Sequence, residues 1–340
     1  MKLPWIPSPD GLAERIWYGD HPLSLCLAPL GWTFAGIALL RRLAYTTGIL
    51  PVQQVPVPVI IVGNISVGGT GKTPLIIWLA NYLKEMGHRP GIISRGYGGK
   101  ARKWPQQVRA DSNPHLVGDE PVLIARHTGC PVGVSPRRYI AARELLEHKS
   151  CDVLLCDDGL QHLALDRDLE IAVVDGDRRF GNGRCLPAGP LREPVGRLRS
   201  VDMVVCNGRP GRNEYAVTYE YGDLHSLADP ARTLALEALR GRKVHAVAGI
   251  GNPARFFSHL RGYDIRLVKH EFPDHHGFSA GDLEFDEKLT VVMTEKDAVK
   301  CEAFAGDDAW YLPVKAQPGE AFRHRLVVLL KELFDGQKTA

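Results

Sequence analysis

One short segment constrains the fold of this chain more than any other: an apolar run, then a glycine-rich turn, then a helix. Residues 57–62 are rich in β-branched side chains, which predicts a strand. The turn at residues 66–73 reads Ser-Val-Gly-Gly-Thr-Gly-Lys-Thr, and Pro74 suits the first turn of a helix. A buried strand that leads through a glycine-rich turn into a helix predicts an α/β fold with a parallel sheet.

The same turn carries chemistry. It matches the pattern G-x-x-x-x-G-K-[ST] except that Ser66 replaces the first glycine. Curled backbone N–H groups and a helix N-terminus bind phosphate, a lysine adds charge, and a hydroxyl suits Mg²⁺. A turn that merely connects strand to helix is the alternative. The sequence therefore predicts a P-loop that binds ATP through Ser66, Gly68, Gly69, Thr70, Gly71, Lys72 and Thr73.

A P-loop protein also needs a carboxylate at the end of a second strand to hold the metal. Residues 153–156 are apolar, and Asp157 and Asp158 follow them. Two adjacent aspartates can instead cap a surface helix. In a P-loop chain their position favours a Mg²⁺ site built from Thr73, Asp157 and Asp158.

The remaining apolar runs are mostly unalternating, which is typical of strands buried on both faces of a parallel sheet. Residues 137–148 have helical spacing and supply a crossover. A polar, turn-rich segment at residues 207–213 predicts a domain boundary. We therefore predict three parts, namely a membrane-associated helical segment (1–45), a P-loop kinase core (46–208) and a smaller α/β domain (209–340).

The N-terminal segment contains an apolar stretch, residues 23–40, without a charged side chain. Eighteen helical residues reach about 27 Å, slightly less than the ~30 Å hydrocarbon core of a bilayer. Arg41 and Arg42 follow the stretch and favour the cytoplasmic side. We expect a helix in or on the membrane surface, and the alternative is an apolar helix packed on the core.

Charge and cysteine usage exclude several classes of protein. The 42 basic and 39 acidic residues balance too evenly to indicate a nucleic-acid partner. The seven cysteines form no C-x-x-C pair, so neither a disulfide framework nor a zinc site is indicated. Local charge is uneven, because six arginines fall in one loop-rich stretch (178, 179, 184, 192, 197 and 199). Such a cluster suits a phosphorylated or membrane-bound acceptor, and the alternative is a solvated basic face.

P-loop proteins include switches, motors and kinases, and the switch motifs are missing here. Residues 294–297 place lysine one position too late for the guanine-reading N-K-x-D motif. Val67 stands where a class of dimeric switch ATPases has lysine. Residues 249–254 superficially fit a dinucleotide-binding pattern, but a lone match is common. A kinase is therefore favoured, with a P-loop regulatory ATPase acting on a protein partner as the alternative.

Seven motifs in order resemble the tetraacyldisaccharide 4'-kinase family, which phosphorylates a lipid A precursor at the inner membrane. They lie at residues 63–74, 94–98, 118–121, 157–162, 186–194, 249–253 and 294–297. The resemblance implies ATP and Mg²⁺ as cofactors and a tetraacyldisaccharide 1-phosphate as acceptor, with no obligate protein partner. It also implies a peripheral or monotopic location at the cytoplasmic face of the inner membrane.

The resemblance further implies residue roles. Asp119 and His275 would act together on the sugar hydroxyl, with His276 as a less favoured substitute for His275. Lys72 and Arg192 would neutralise charge on the transferred phosphoryl group. The resemblance thus predicts a catalytic set of Asp119, His275, Lys72 and Arg192.

Overall fold

The structure is a computed structural model that describes residues 9–229 and 231–337. The first eight residues of the predicted N-terminal segment therefore lie outside the described residues. So do Pro230 and the last three residues of the predicted C-terminal domain.

Strands and helices alternate through most of the described chain. The strands are β1 (Val59–Gly63), β2 (Pro90–Ser94), β3 (Gln106–Val108), β4 (Val132–Val134), β5 (Val153–Asp157), β6 (Leu169–Asp175), β7 (Met203–Asn207), β8 (Tyr215–Tyr221), β9 (Leu224–Ser226), β10 (Thr233–Leu234), β11 (Lys243–Ala248), β12 (Arg266–Glu271), β13 (Val291–Thr294), β14 (Ala309–Leu312) and β15 (Val314–Pro318). The α-helices are α1 (Pro9–Tyr18), α2 (Leu23–Cys26), α3 (Ala28–Thr46), α4 (Lys72–Glu85), α5 (Pro114–Val117), α6 (Asp119–Thr128), α7 (Arg138–His148), α8 (Pro253–Gly262), α9 (Glu295–Cys301) and α10 (Glu320–Gln337). Short 3₁₀ helices cover Val195–Ser200, Leu236–Leu239 and Ala280–Leu283.

The described chain divides into two compact units, each assembled from separate segments. The first contains residues 9–70, 158–217 and 318–337, and the second contains residues 71–157 and 218–317. The predicted domain boundaries at 45/46 and 208/209 remain predictions.

The first unit is built on parallel strands. β1 pairs with β6, β6 with β7, and β7 with the start of β8, all in parallel. Every residue of β1 and β6 is buried, as the unalternating apolar runs predicted. Parallel strands place their carboxyl ends at one edge, so the loops after β1 and β6 open on the same side of this unit.

The second unit contains two groups of strands. β5, β2 and β4 pair in parallel, and β3 adds an antiparallel edge. A separate six-stranded sheet has the order β10-β9-β14-β13-β11-β12, with β11 to β14 mutually parallel. Helix α8 packs on this sheet through Phe256, Phe257 and Leu260, which are almost completely buried. The apolar runs at residues 244–248 and 289–293 form β11 and most of β13.

The apolar N-terminal stretch forms α2 and α3, and it exposes most of its large side chains. Trp32 is 71% exposed, Leu40 67% and Ile37 62%. The buried residues of α3 are the small ones, Ala28 and Gly31. Within the first unit this arrangement is not that of a helix packed on the core by its apolar side chains. No helix in the described part of the chain combines the length and the hydropathy needed to cross a bilayer.

Candidate active site

The first half of the phosphate loop, in the first unit, is held by two neighbouring segments. Asn64 directly follows β1 and is completely buried, and its Nδ2 atom donates to the Thr70 hydroxyl at 3.2 Å. On the other side, Val67 N–H donates to the Pro190 carbonyl and Arg192 N–H donates to the Ile65 carbonyl. The loop that contains Ser66 is thus fixed by backbone hydrogen bonds to the 186–194 motif.

Arg192 and Asp158 form an ion pair in the same unit. Arg192 Nη1 lies 2.8 Å from Asp158 Oδ2 and 3.4 Å from Gln161 Oε1. Gln161 Nε2 in turn donates to the Asn64 carbonyl and to Glu193. Asp158 has a φ of 49°, a left-handed conformation that is uncommon for non-glycine residues. The network therefore connects the loop after β1 with two of the predicted site residues.

The second half of the loop opens helix α4 in the second unit. Gly71 has a φ of 91°, and Lys72 and Thr73 follow in the first turn of this 14-residue helix. The Tyr219 hydroxyl donates to the Gly71 carbonyl at 2.6 Å, and a Cβ on Gly71 would lie 2.6 Å from that hydroxyl. Both the backbone conformation and the tyrosine thus require glycine here. A helix N-terminus that carries a lysine and a hydroxyl suits an anion with an associated cation.

Asp157 ends β5 in the second unit and is completely buried. The hydroxyl of Ser94, at the end of the neighbouring strand β2, donates to Asp157 Oδ2 at 3.1 Å. Asp157 and the Thr73 hydroxyl are hard oxygen donors, as Mg²⁺ prefers. The donor chemistry of the predicted metal residues therefore fits the ion.

Asp119 and His275 lie together in the second unit, although 156 positions separate them in the chain. Asp119 begins α6 and is 4% exposed, and its Oδ1 atom lies 3.2 Å from His275 Nδ1. His275 has a φ of 59°, and the Tyr97 ring lies against the imidazole with 4.6 Å between ring centroids. Strained backbone of this kind often marks functional sites. Aspartate and histidine in contact beside an exposed tyrosine can accept a proton from a hydroxyl.

Two lysines of α9 reach this pair. Lys296 Nζ lies 3.0 Å from Glu120, 3.1 Å from Asp274 and 3.5 Å from His275 Nε2. Lys300 Nζ lies 3.4 Å from Asp119 Oδ2 and 2.9 Å from Asp297 Oδ1. Each member of the Asp119–His275 pair therefore has an ammonium group beside it, Lys300 beside Asp119 and Lys296 beside His275.

These charges decide the protonation of the pair. Burial alone would raise the pKa of Asp119, but Lys296, the hydrogen bond with His275, and Lys300 together hold it below its usual range. Burial would lower the pKa of His275, but the hydrogen bond with Asp119 and the negative charges of Asp119 and Asp274 together raise it above its usual value. For Lys296, the effect of burial is outweighed by Glu120, Asp119 and Asp274, so its pKa lies above the usual range. Asp119 is therefore a carboxylate and Lys296 an ammonium.

The lysine contact also selects the tautomer of His275. An ammonium group donates hydrogen bonds and accepts none, so the His275 Nε2 atom beside Lys296 carries the lone pair. The ring proton of the neutral imidazole then lies on Nδ1, where it donates to Asp119 Oδ1. The neutral imidazole is thus oriented with its basic nitrogen away from the aspartate.

His276 takes a different position from His275. Its Nε2 atom lies 3.4 Å from Asp282, and its ring packs between Phe272 and Phe278. Asp119 contacts His275 and not His276 among the described contacts. The geometry favours His275 as the partner of Asp119.

The arginine-rich stretch is largely engaged within the first unit. Arg178 pairs with Glu14, and Arg179 forms two hydrogen bonds with Glu214. Arg197 is 4% exposed and binds both carboxylate oxygens of Glu170, at 2.6 and 2.7 Å. The cluster is therefore not the solvated basic face considered above, because several of its guanidinium groups stabilise the framework of this unit.

Comparison with known proteins identifies the family. The sequence profile of the family described as tetraacyldisaccharide-1-P 4'-kinase, LpxK, matches residues 23–331. This chain belongs to that family. Tetraacyldisaccharide 4'-kinase of Nitrosococcus oceani is 52% identical over 323 residues, 95% of each chain, and that of Alkalilimnicola ehrlichii is 53% identical over 313 residues, 90% of this chain and 92% of the relative.

A solved structure of the family agrees in fold. The crystal structure of LpxK from Aquifex aeolicus in complex with ATP superposes with a TM-score of 0.75 and is 30% identical, covering 92% of this chain and 99% of the other. The predicted family, the P-loop type of α/β fold and the enzyme class, a kinase, are confirmed.

The sequence assigned no site role to Asn64, which contacts Thr70 of the phosphate loop. It likewise assigned none to the residues around the Asp119–His275 pair, namely Tyr97, Glu120, Asp274, Lys296, Asp297 and Lys300. Residues 294–297 were noted as a motif, and no role followed from them. The signal was the motif itself, because a Thr-x-x-Asp sequence before an apolar run predicts a capped helix. It does not predict what the lysines of that helix contact.

Proposed function

We propose that this kinase transfers the γ-phosphoryl group of ATP to the 4'-hydroxyl of a tetraacyldisaccharide 1-phosphate. The observation that carries the proposal is the contact between Asp119 and His275, next to the helix pair α6 and α9, in a chain that also has a phosphate loop. A sugar hydroxyl is a weak acid, so its attack on a phosphoryl group benefits from a positioned proton acceptor. Membership of the tetraacyldisaccharide 4'-kinase family supports the choice of acceptor.

In this mechanism the acceptor hydroxyl displaces Lys296 Nζ from its 3.5 Å contact with His275 Nε2, and Nε2 then takes the proton of that hydroxyl. Asp119 accepts the hydrogen bond from Nδ1–H, holds the ring in place and stabilises the imidazolium that forms. Asp119 itself is too deeply buried to reach the acceptor first, at 4% exposure. The aspartate is thus the orienting member and the histidine the member that meets the substrate.

Bound ATP supplies the phosphoryl group and Mg²⁺ neutralises charge on its oxygens. Ser66, Gly68, Gly69, Thr70 and Gly71 would offer their backbone N–H groups to the phosphates. Lys72 and Arg192 would neutralise the charge that develops on the transferred group. Thr73, Asp157 and Asp158 would hold the metal ion, and Asp158 is already held by Arg192.

The exposed apolar face of α3 supports a location at a membrane surface. Its side chains include Trp32 and Leu40, and at its end Arg41 Nη1 donates to the Gln161 carbonyl. Burial of such apolar surface in lipid lowers the free energy by about 25 cal/mol per Å². We infer a peripheral or monotopic kinase at the cytoplasmic face of the inner membrane, where a lipid acceptor is found.

The experiment is transfer of label from γ-³²P-ATP to purified tetraacyldisaccharide 1-phosphate in detergent micelles. We expect labelled lipid with the wild type, and loss of transfer with Lys72→Ala. ATP hydrolysis without labelled lipid, stimulated instead by a protein fraction, would favour the regulatory ATPase. Omission of Mg²⁺ should abolish transfer, and addition of Mg²⁺ should restore it.

A vesicle assay tests the location separately. The full-length protein should cosediment with vesicles of phosphatidylethanolamine and phosphatidylglycerol. A variant with Trp32→Ser, Ile37→Ser and Leu40→Ser should remain in the supernatant. Equal sedimentation of both proteins would contradict the role of α3, and Leu116→Ser, an exposed apolar residue of the second unit, is the matched control.

A further inference from the structure

Two motifs of the sequence, at residues 249–253 and 294–297, have no part in the mechanism above. Both contribute to one buried group in the second unit. Asp297 is completely buried, and its Oδ2 atom accepts hydrogen bonds from Gly249 N–H at 2.8 Å and from the Thr294 hydroxyl at 2.6 Å. Thr294 also caps α9, because its hydroxyl accepts from Asp297 N–H. The carboxylate is therefore fixed by two hydrogen bonds, one from Gly249 after β11 and one from Thr294 at the end of β13.

The second oxygen of this carboxylate faces Lys300. The distance from Asp297 Oδ1 to Lys300 Nζ is 2.9 Å, and Lys300 is 7% exposed. The Phe278 ring covers the ammonium group at 5.0 Å from its centroid. A buried ammonium is costly without acidic partners, so its position is set by the two carboxylates it touches.

The other carboxylate is Asp119. Lys300 Nζ lies 3.4 Å from Asp119 Oδ2, the oxygen that does not face His275. The Asp119 carboxylate is thus held from two sides, by His275 at Oδ1 and by Lys300 at Oδ2. Rotation of the carboxylate would break one contact or the other.

We propose that Lys300 is a positioning residue that fixes the Asp119 carboxylate for His275, and that Asp297, Thr294 and Gly249 hold Lys300 in place. This inference rests on the proposed function, in which Asp119 and His275 act on the acceptor hydroxyl. The motifs at residues 249–253 and 294–297 would then share one role, which is to hold Lys300 beside Asp119. A continuous chain of contacts thus runs from Gly249 through Asp297 and Lys300 to Asp119.

The first test is Lys300→Met, which keeps the length of the side chain and removes its charge. We expect kcat to fall about 10- to 100-fold, the loss of one charge-assisted contact, with KM for ATP and for lipid within about twofold of wild type. The acidic limb of the kcat profile should move to higher pH, because the cation beside Asp119 is gone. Lys288→Met, at an exposed lysine of the same unit, is the matched control. An unchanged kcat and pH profile would overturn the proposal.

The other charged groups facing the pair are Lys296, Glu120 and Asp274, and the variant leaves them in place. Since Lys300→Met itself leaves Asp297 buried without its cation, it can lower stability. Asp297→Asn is therefore the second variant, because asparagine retains an oxygen for Gly249 N–H and the Thr294 hydroxyl and places an uncharged NH₂ group where an oxygen faced Lys300. It should lower kcat in the same direction by a smaller factor, and an unchanged kcat would count against the anchoring role.

A measurement without substrate separates this inference from the proposed function. Histidine-labelled protein is titrated by NMR, and the His275 resonance is identified by its loss in His275→Gln. We expect the pKa of His275 to be higher in Lys300→Met than in wild type, because Asp119 then attracts the ring proton more strongly. If wild type transfers no label to lipid and this shift is present, the proposed function fails and the positioning contact stands. If wild type transfers label and neither the shift nor a change in kcat is found, the positioning role fails alone.

Discussion

Two basic regions of this kinase, the arginine-rich stretch and the lysines of α9, differ in what their charges contact. The stretch is conspicuous in the sequence, yet Arg178, Arg179 and Arg197 bind acids that belong to the framework of the first unit. Lys296 and Lys300 are inconspicuous, and they contact the candidate catalytic pair. The density of charge along a chain is therefore a poorer guide to function than the identity of the acid that each charge meets.

The largest expected effect lies on the lysine side of this comparison. His275→Gln should lower kcat by about 10²- to 10⁴-fold, the usual range for a general base. ATP binding should be little changed, since the phosphate loop is intact, and equilibrium binding of a fluorescent nucleotide checks this. Near-normal turnover would show that His275 is not the general base. The contacts of Lys296 and Lys300 would then no longer set these lysines apart from the arginine-rich stretch. His276→Gln is the matched control and should retain most of the activity.

Substitutions in the arginine-rich stretch should change the stability of the protein rather than its activity. Arg197→Met removes one of the two arginines that bind the buried Glu170 and leaves Arg167, so the loss in the free energy of unfolding should lie near the lower end of the about 3–5 kcal/mol that breaking a buried pair costs. Urea denaturation measures the loss, and kcat per folded molecule should change little. Arg199→Met, at an exposed position two residues away, should stay within about 0.5 kcal/mol of wild type. An Arg197 variant that is as stable as wild type but inactive would show that the arginine-rich stretch, like the lysines of α9, contributes to catalysis.

A smaller effect is expected from Gly249→Ala. A Cβ at this position would lie 3.1 Å from Asp297 Oδ1 and 3.3 Å from the Phe278 ring, so the carboxylate must shift by a few tenths of an ångström. We expect a loss of about 1 kcal/mol in the free energy of unfolding and a several-fold lower kcat. Gly262→Ala, which meets open space at the end of α8, is the control. Equal behaviour of the two variants would show that the Asp297 contact tolerates displacement.

The smallest effect is a dependence of stability on pH. The pKa of His275 is raised in the folded protein, so its stabilising contribution is complete below its unfolded value and is lost as the pH rises through the folded value. The difference in melting temperature between wild type and His275→Gln should therefore be larger at pH 6 than at pH 9. A difference that grows with pH would mean that His275 is held neutral by its surroundings.

Much of the fold could be predicted from local pattern. The run at residues 57–62, the glycine turn and Pro74 follow directly from strand propensity, glycine conformations and helix capping, and all are short-range. The strands that were not predicted are β3, β8, β9, β10, β12, β14 and β15. Of these, β3, β9 and β12 are short or lie at the edges and carry little apolar signal. Their existence depends on neighbouring strands rather than on their own residues.

The candidate site divides in the same way. Lys72 and Thr73 could be placed at a helix start because the motif is contiguous. Asp119 and His275 came only from the family resemblance, since their contact joins distant segments and no spacing rule predicts it. Lys300 could not be found from the sequence at all, because a lysine six residues after the start of a motif of mixed charge is an ordinary surface pattern. Only the packing of α9 against α6 makes it a neighbour of Asp119.

The attachment of α3 has a consequence for how this enzyme divides its apolar residues. A Cβ on Gly31 would lie 2.9 Å from the Cys185 carbonyl oxygen and 3.1 Å from Ala188 Cβ, so the helix touches the first unit with its backbone. Because α3 is attached through its smallest residues, most of its large side chains remain exposed to their surroundings. The attachment of α3 and the apolar character of its exposed face therefore depend on different residues. Substitutions can alter one of these properties without loss of the other.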